Sequence, residues 1–75
     1  MVTLKADVLN VALERGRQGI TRKEVAAYGP PINYVERVFA SLVEGRHLVR
    51  TKWFRDRSRI FVLPMFIESE DFDDD

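Results

Sequence analysis

The chain has 75 residues, 12 basic and 12 acidic side chains for a formal net charge of zero, one histidine, no cysteine and 45% apolar residues. This describes one small globular domain and excludes a disulfide framework and a cysteine zinc site. At this length folding buries only about 60% of the surface the unfolded chain exposes, so the domain depends on one compact core.

In chain order, apolar residues at Leu4, Val8, Leu9, Val11, Ala12 and Leu13 give a first helix with one broad buried face, and Thr3 is placed to cap its free amides. Gly16 and Gly19 end it, and Ile20 has room for one strand pairing at most. Thr21 and Glu24 have capping-box spacing, which predicts a short second helix from Arg22 to about Tyr28, stopped by Gly29-Pro30-Pro31. From Ile32, the positions Val35, Val38, Phe39, Leu42 and Val43 recur at three and four, so one stripe of a third helix faces inward. Its start is either Pro31 in the first turn or Asn33 as cap, and Gly45 is expected to close it in the C′ position.

Beyond Gly45 the period changes to two. His47, Val49, Thr51 and Trp53 alternate with Leu48, Arg50, Lys52 and Phe54, the polar run Arg55-Asp56-Arg57-Ser58 interrupts, and Arg59 to Leu63 resume, which reads as a hairpin with a charged tip. Trp53 and Phe54 fall on opposite faces, so one is expected in the core and the other partly exposed. Packing against Met65 and Phe66 or a second subunit is the first reading of this pair, and stacking on an unpaired base the second. Pro64 ends the hairpin, and Met65-Phe66-Ile67 are expected to pack back on the helices. No unbroken apolar run exceeds four residues, as at Ile60 to Leu63, against the roughly 20 of a bilayer span, and no signal-peptide pattern begins the chain. The expectation is a soluble, cytoplasmic protein without membrane association.

The zero net charge hides an asymmetry. Six of the 12 acids fall in the last eight residues, so residues 1–67 carry 12 basic against 6 acidic groups, or +6. We therefore expect a domain over residues 1–67 and an acidic, disordered tail over residues 68–75. Arg46, Arg50, Lys52, Arg55, Arg57 and Arg59 face only Asp56 within their stretch. A basic body points to a polyanion partner; the bland reading is a solvated strand face with a solubilising tail.

Three helices, the second and third separated by a tight turn, then a two-stranded hairpin with a basic tip, resemble the winged helix-turn-helix family of DNA-binding domains over roughly residues 4–63. The resemblance rests on Thr21-Arg22-Lys23-Glu24-Val25-Ala26, the Gly29 turn, the Val35, Phe39, Leu42 stripe, and Gly45 leading to Leu48-Val49-Arg50. The order of elements carries it more than any one motif, because a helical bundle lacks the hairpin and an all-β domain lacks the helices. The double proline and an extra residue between Leu42 and Leu48 depart from the family pattern. The resemblance implies an α+β fold whose third helix enters the major groove of double-stranded DNA while the second crosses the backbone. Asn33, Tyr34 and Arg37 would then meet base edges, with Tyr34 alternatively covering the core edge. Arg22 and Lys23 would meet phosphates, or else be ordinary solvated charge. Wing residues Lys52, Arg55, Arg57 and Arg59 would follow phosphates or enter a narrow minor groove.

No catalytic constellation is evident: there is no cysteine, one histidine, no glycine-rich phosphate loop, and acids that cap helices or sit in the tail. No enzymatic activity, cofactor or metal is expected, and His47 reads as structural or phosphate-neighbouring. The leading expectation is a small transcription regulator of a prokaryote, bacterial virus or mobile element, an origin argued from economy of size rather than from residues. The alternative is a protein-interaction module on the same fold, docking on a nucleic-acid-processing protein through the wing or through the acidic tail with Phe72 as anchor. A homodimer over two half-sites is left open.

Overall fold

A computed structural model of the chain describes residues 3–72. Helix α1 spans Leu4–Arg15, and Thr3, in extended conformation, accepts the Ala6 N–H at 3.2 Å as its cap. A 3₁₀ turn over Gly16–Gln18 leads to strand β1, Ile20–Thr21. Gly19 is required at this junction: its φ is +67°, and a Cβ there would lie 2.5 Å from the Phe61 carbonyl oxygen. Thr21 and Glu24 form the expected capping box, with both reciprocal hydrogen bonds present.

Helix α2, Arg22–Ala26, is shorter than expected. The reason lies in its last turn, where the Tyr28 and Gly29 N–H groups bond to the Val25 and Ala26 carbonyls three residues back, tightening the helix before Pro30. Helix α3, Ile32–Glu44, starts after Pro31, which stands as N-cap without a side-chain hydrogen bond; Asn33 lies inside the helix. Its inner stripe is Val35, Val38, Phe39 and Leu42, all buried. The expected role of Gly45 falls to its neighbour. Gly45 is right-handed at φ −77° while Arg46 takes the left-handed position at φ +63°. The His47 N–H bonds to the Leu42 carbonyl at 2.8 Å and the Arg46 N–H to the Val43 carbonyl at 3.0 Å, which is the Schellman closure with arginine at C′.

Strands β2, Val49–Arg55, and β3, Ser58–Val62, are antiparallel, and β1 adds to the other side of β3, giving the order β1-β3-β2. The hairpin is therefore part of a three-stranded sheet rather than a two-stranded wing, because Ile20 and Thr21 pair with Phe61 and Ile60. Its loop is two residues, Asp56 and Arg57, both left-handed at φ +52° and +65°, as a type I′ turn requires. Register shifts between Arg50↔Phe61 and Phe54↔Arg59, so Thr51, Lys52 and Trp53 stand opposite Ile60 alone. Thr51 closes this bulge: its hydroxyl donates to the Ile60 carbonyl at 2.8 Å and accepts the Trp53 N–H at 3.2 Å.

The helices cover one face of the sheet. Phe39 of α3 meets Phe61 of β3 edge-to-face at 5.1 Å, within a core that includes Val8, Ala12, Ile20, Val35 and Leu48. The opposite face, bearing Thr51, Trp53, Ile60 and Val62, is met by Arg17 and Gln18 and by Glu70 and Asp71. The result is a small α+β domain of three helices and a three-stranded antiparallel sheet. Among the described residues, no helix is long and apolar enough to cross a membrane.

Two expectations at the C-terminus are corrected. Phe66 packs against the core, but Met65 stays 71% exposed on the 3₁₀ turn Pro64–Phe66. The acidic segment does not leave the fold at residue 68: Ser69–Asp71 form a 3₁₀ turn and Phe72 bridges to Thr51 at the edge of β2. Charge alone suggested a solvated tail, but Asp71 finds donors. Its carboxylate accepts the Trp53 indole N–H at 2.9 Å, the Glu68 N–H at 3.0 Å and Arg17 at 3.3 Å. Asp73–Asp75 lie outside the described residues.

Candidate nucleic-acid interface

The sheet face that holds Phe61 continues past the core toward the hairpin tip. Side chains two apart share a face, so Arg50 and Phe54 on β2 stand beside Phe61 and Arg59 on β3. Together with the wing-facing side of α3 they line a cleft of about 480 Å³. Its apolar lining is Phe39, Ala40, Val43, Phe54 and Phe61, and its charged lining is Arg22, Arg50, Arg57 and Arg59 with Glu36 and Glu44. Four guanidiniums and two carboxylates thus line one cleft.

The cations differ in how they are held. Arg22, at the start of α2, lies 5.8 Å from the Phe61 ring centroid. Arg59 lies 4.3 Å from the Phe54 centroid, and its Nη1 donates to the Thr51 carbonyl at 3.2 Å. Arg57 is exposed at the turn in a left-handed conformation where glycine is the unstrained choice. The chain thus places a guanidinium at the wing tip at a conformational cost of about 1–2 kcal/mol.

Arg55, expected among the phosphate contacts, turns inward instead. Its guanidinium donates to Glu24 Oε1 at 2.7 Å and to the Gly19 and Gln18 carbonyls at 2.9 and 3.2 Å. Glu24 also takes Arg15 at 2.5 Å, so one carboxylate ties α1, α2 and β2 together. Burial is the largest influence on the Glu24 carboxyl and pushes it up, but hydrogen bonds from Arg55 and Arg15 outweigh it, and the group titrates below its ordinary value. Strand β2 carries Arg55 on the face opposite Phe54, and the capping glutamate lies within hydrogen-bond reach there.

The other expected site residues divide. Lys23 donates to the Asp56 carbonyl at 2.8 Å, which ties α2 to the wing tip. Lys52 sits in the bulge, 4.9 Å from the Trp53 ring, outside the cleft lining. On α3, at about 100° per residue, Asn33, Arg37, Ala40 and Glu44 form the outermost ridge, Glu36 lies on the wing side and Tyr34 on the opposite flank. Asn33 and Arg37 are exposed there, beside the cleft, while Tyr34 is turned away from it.

Arg50 and Phe54 were the cleft residues that strand alternation did not single out. Their shared parity was the available signal. The expectation that Trp53 or Phe54 enters the core is overturned: they are 50% and 59% exposed. Trp53 faces the side met by Asp71 and Phe54 faces the cleft beside α3, and neither joins the core between helices and sheet. Trp53 is engaged at its edge by Asp71, whose carboxyl is held below its ordinary value chiefly by that indole N–H and by the Glu68 N–H. Comparison of the chain with family models, with curated proteins and with solved structures returns no match.

Proposed function

We propose that the chain is a winged-helix domain that binds duplex DNA and serves as a small transcription regulator. The outer ridge of α3 would present Asn33 and Arg37 to base edges in the major groove, and the sugar-phosphate backbone would run in the cleft between α3 and the wing. The observation that carries this reading is the convergence of Arg22, Arg50, Arg57 and Arg59, from α2 and from both strands and the turn of the hairpin, on that one cleft. Like charges gathered on one rim repel each other, and a phosphate chain offsets that repulsion. Arg57 supports the reading further, since its strained turn position gains the fold nothing.

The alternative of a docking tail is weakened by the same geometry. The Asp71 carboxylate is taken by Trp53 and Arg17 and the Phe72 backbone bridges to Thr51, although the Phe72 side chain stays 46% exposed. The test is the salt dependence of duplex affinity. Four neutralised phosphates give a slope of log K against log salt of about −3.6, and an affinity indifferent to salt would overturn the proposal.

A further inference from the structure

Phe54 is the feature of the cleft that electrostatics leaves unexplained. A phenylalanine on a solvent-facing wing costs apolar exposure, yet this ring is 59% exposed and lies on the same face as Arg50, Arg57 and Arg59. It is also held. Cross-strand pairing places Arg59 directly opposite, its guanidinium stands 4.3 Å from the ring centroid, and that guanidinium is itself fixed by the Thr51 carbonyl. The three-to-one bulge just before Phe54 bends and twists the strand, the usual means of re-aiming a side chain. The wing as a whole is anchored to α2 by Arg55 on Glu24 and by Lys23 on the Asp56 carbonyl.

We propose that Phe54 is an apolar wedge that enters a base step of the bound duplex, with Arg59 behind it on the backbone. This rests on the duplex reading above and deepens it. An apolar side chain presented among phosphate-binding cations gains by partial insertion between base pairs, where unstacking is offset by burial of the ring. The step entered would be a flexible pyrimidine–purine step, TA or CA/TG, because these unstack at least cost. Trp53, the other exposed aromatic of the wing, is not the wedge: its indole N–H is donated to Asp71 and Lys52 lies over its ring.

The test uses duplexes that carry 2-aminopurine at successive positions, whose emission rises when the base unstacks, together with the wild-type chain and the Phe54→Ala, Phe54→Leu and Arg57→Ala variants. The expected result is a rise confined to one step in the wild-type complex, lost in Phe54→Ala and retained in Phe54→Leu. Phe54→Ala should also bind about 5- to 150-fold more weakly with an unchanged salt slope. Arg57→Ala should keep the emission rise while lowering the slope. Circular dichroism checks that each variant is folded, which the exposure of Phe54 favours. Salt-dependent duplex binding with no rise at any position, or Phe54→Ala indistinguishable from wild type, would overturn the wedge and leave the duplex reading intact. Failure of the wild-type chain to bind any duplex would overturn both.

Discussion

Arg57→Gly separates function from stability in a single substitution. Arg57 occupies the second position of the type I′ turn at φ +65° and makes no hydrogen bond or ion pair among the described residues. Glycine there relieves about 1–2 kcal/mol of left-handed strain and loses about 0.4–1 kcal/mol through the greater freedom of the unfolded chain. The net gain is about 0–1.6 kcal/mol, and its midpoint of about 0.8 kcal/mol raises the Tm of a domain of this size by roughly 3–6 °C. If the duplex proposal holds, the same change removes one of its four phosphate contacts, so the salt slope should fall from about −3.6 to about −2.7 while affinity weakens at every sequence. Thermal melting and fluorescence anisotropy in a salt series read the two effects on one preparation. A more stable variant that binds as the wild type does would refute the assignment of Arg57 to the interface; a less stable one would refute the strain argument.

Arg55→Ala should lower stability by about 1 kcal/mol but leave the salt slope of binding unchanged, because the guanidinium serves Glu24 and the Gly19 carbonyl. A slope smaller by about 0.9 would restore it to the phosphate contacts. Glu24→Ala loses the capping box and both ion pairs, about 2 kcal/mol together, for a Tm lower by roughly 8–16 °C. Because the folded carboxyl titrates below its ordinary value of about 4.3, its contribution is complete above that pH and is lost as pH falls through the folded value. Glu24→Gln should accordingly flatten this part of the acid limb in stability measured against pH. Gly19→Ala should destabilise the fold by about 2 kcal/mol or more, since the new methyl meets the Phe61 carbonyl in the β1–β3 pairing. Asp71→Ala should shift Trp53 emission to the red and speed amide exchange at the Thr51–Phe72 bridge, read by hydrogen exchange. The wild type should show the same change in acid, because the depressed Asp71 carboxyl holds the latch above its ordinary range and releases it as pH falls through the folded value.

Where the sequence carried a local rule, it led to the right element. Thr3 and Thr21 marked helix starts, and the Val35-Val38-Phe39-Leu42 stripe marked the buried side of α3, because capping and periodicity act within a few residues. The misses arose from long-range neighbours. Arg55 looked like its fellow wing arginines, yet its partner Glu24 is 31 positions away and had already been assigned as a cap. Trp53 and Phe54 followed strand alternation, but alternation says which face a residue takes and not whether anything covers that face. The acidic tail looked solvated because its composition was read without Arg17 and the Trp53 indole, which fold it back through Asp71. Arg46 at C′ was hidden because glycine one position earlier fits the usual helix end equally well.

A titration of isotope-labelled protein with a short duplex, followed through its backbone amide resonances, asks directly which surface the nucleic acid touches. The account predicts shifts concentrated at Arg22, Asn33, Arg37, Arg50, Phe54, Arg57 and Arg59, with α1 and the Pro64–Phe66 turn undisturbed. Shifts centred on α1, or none at duplex concentrations well above those of the protein, would contradict it.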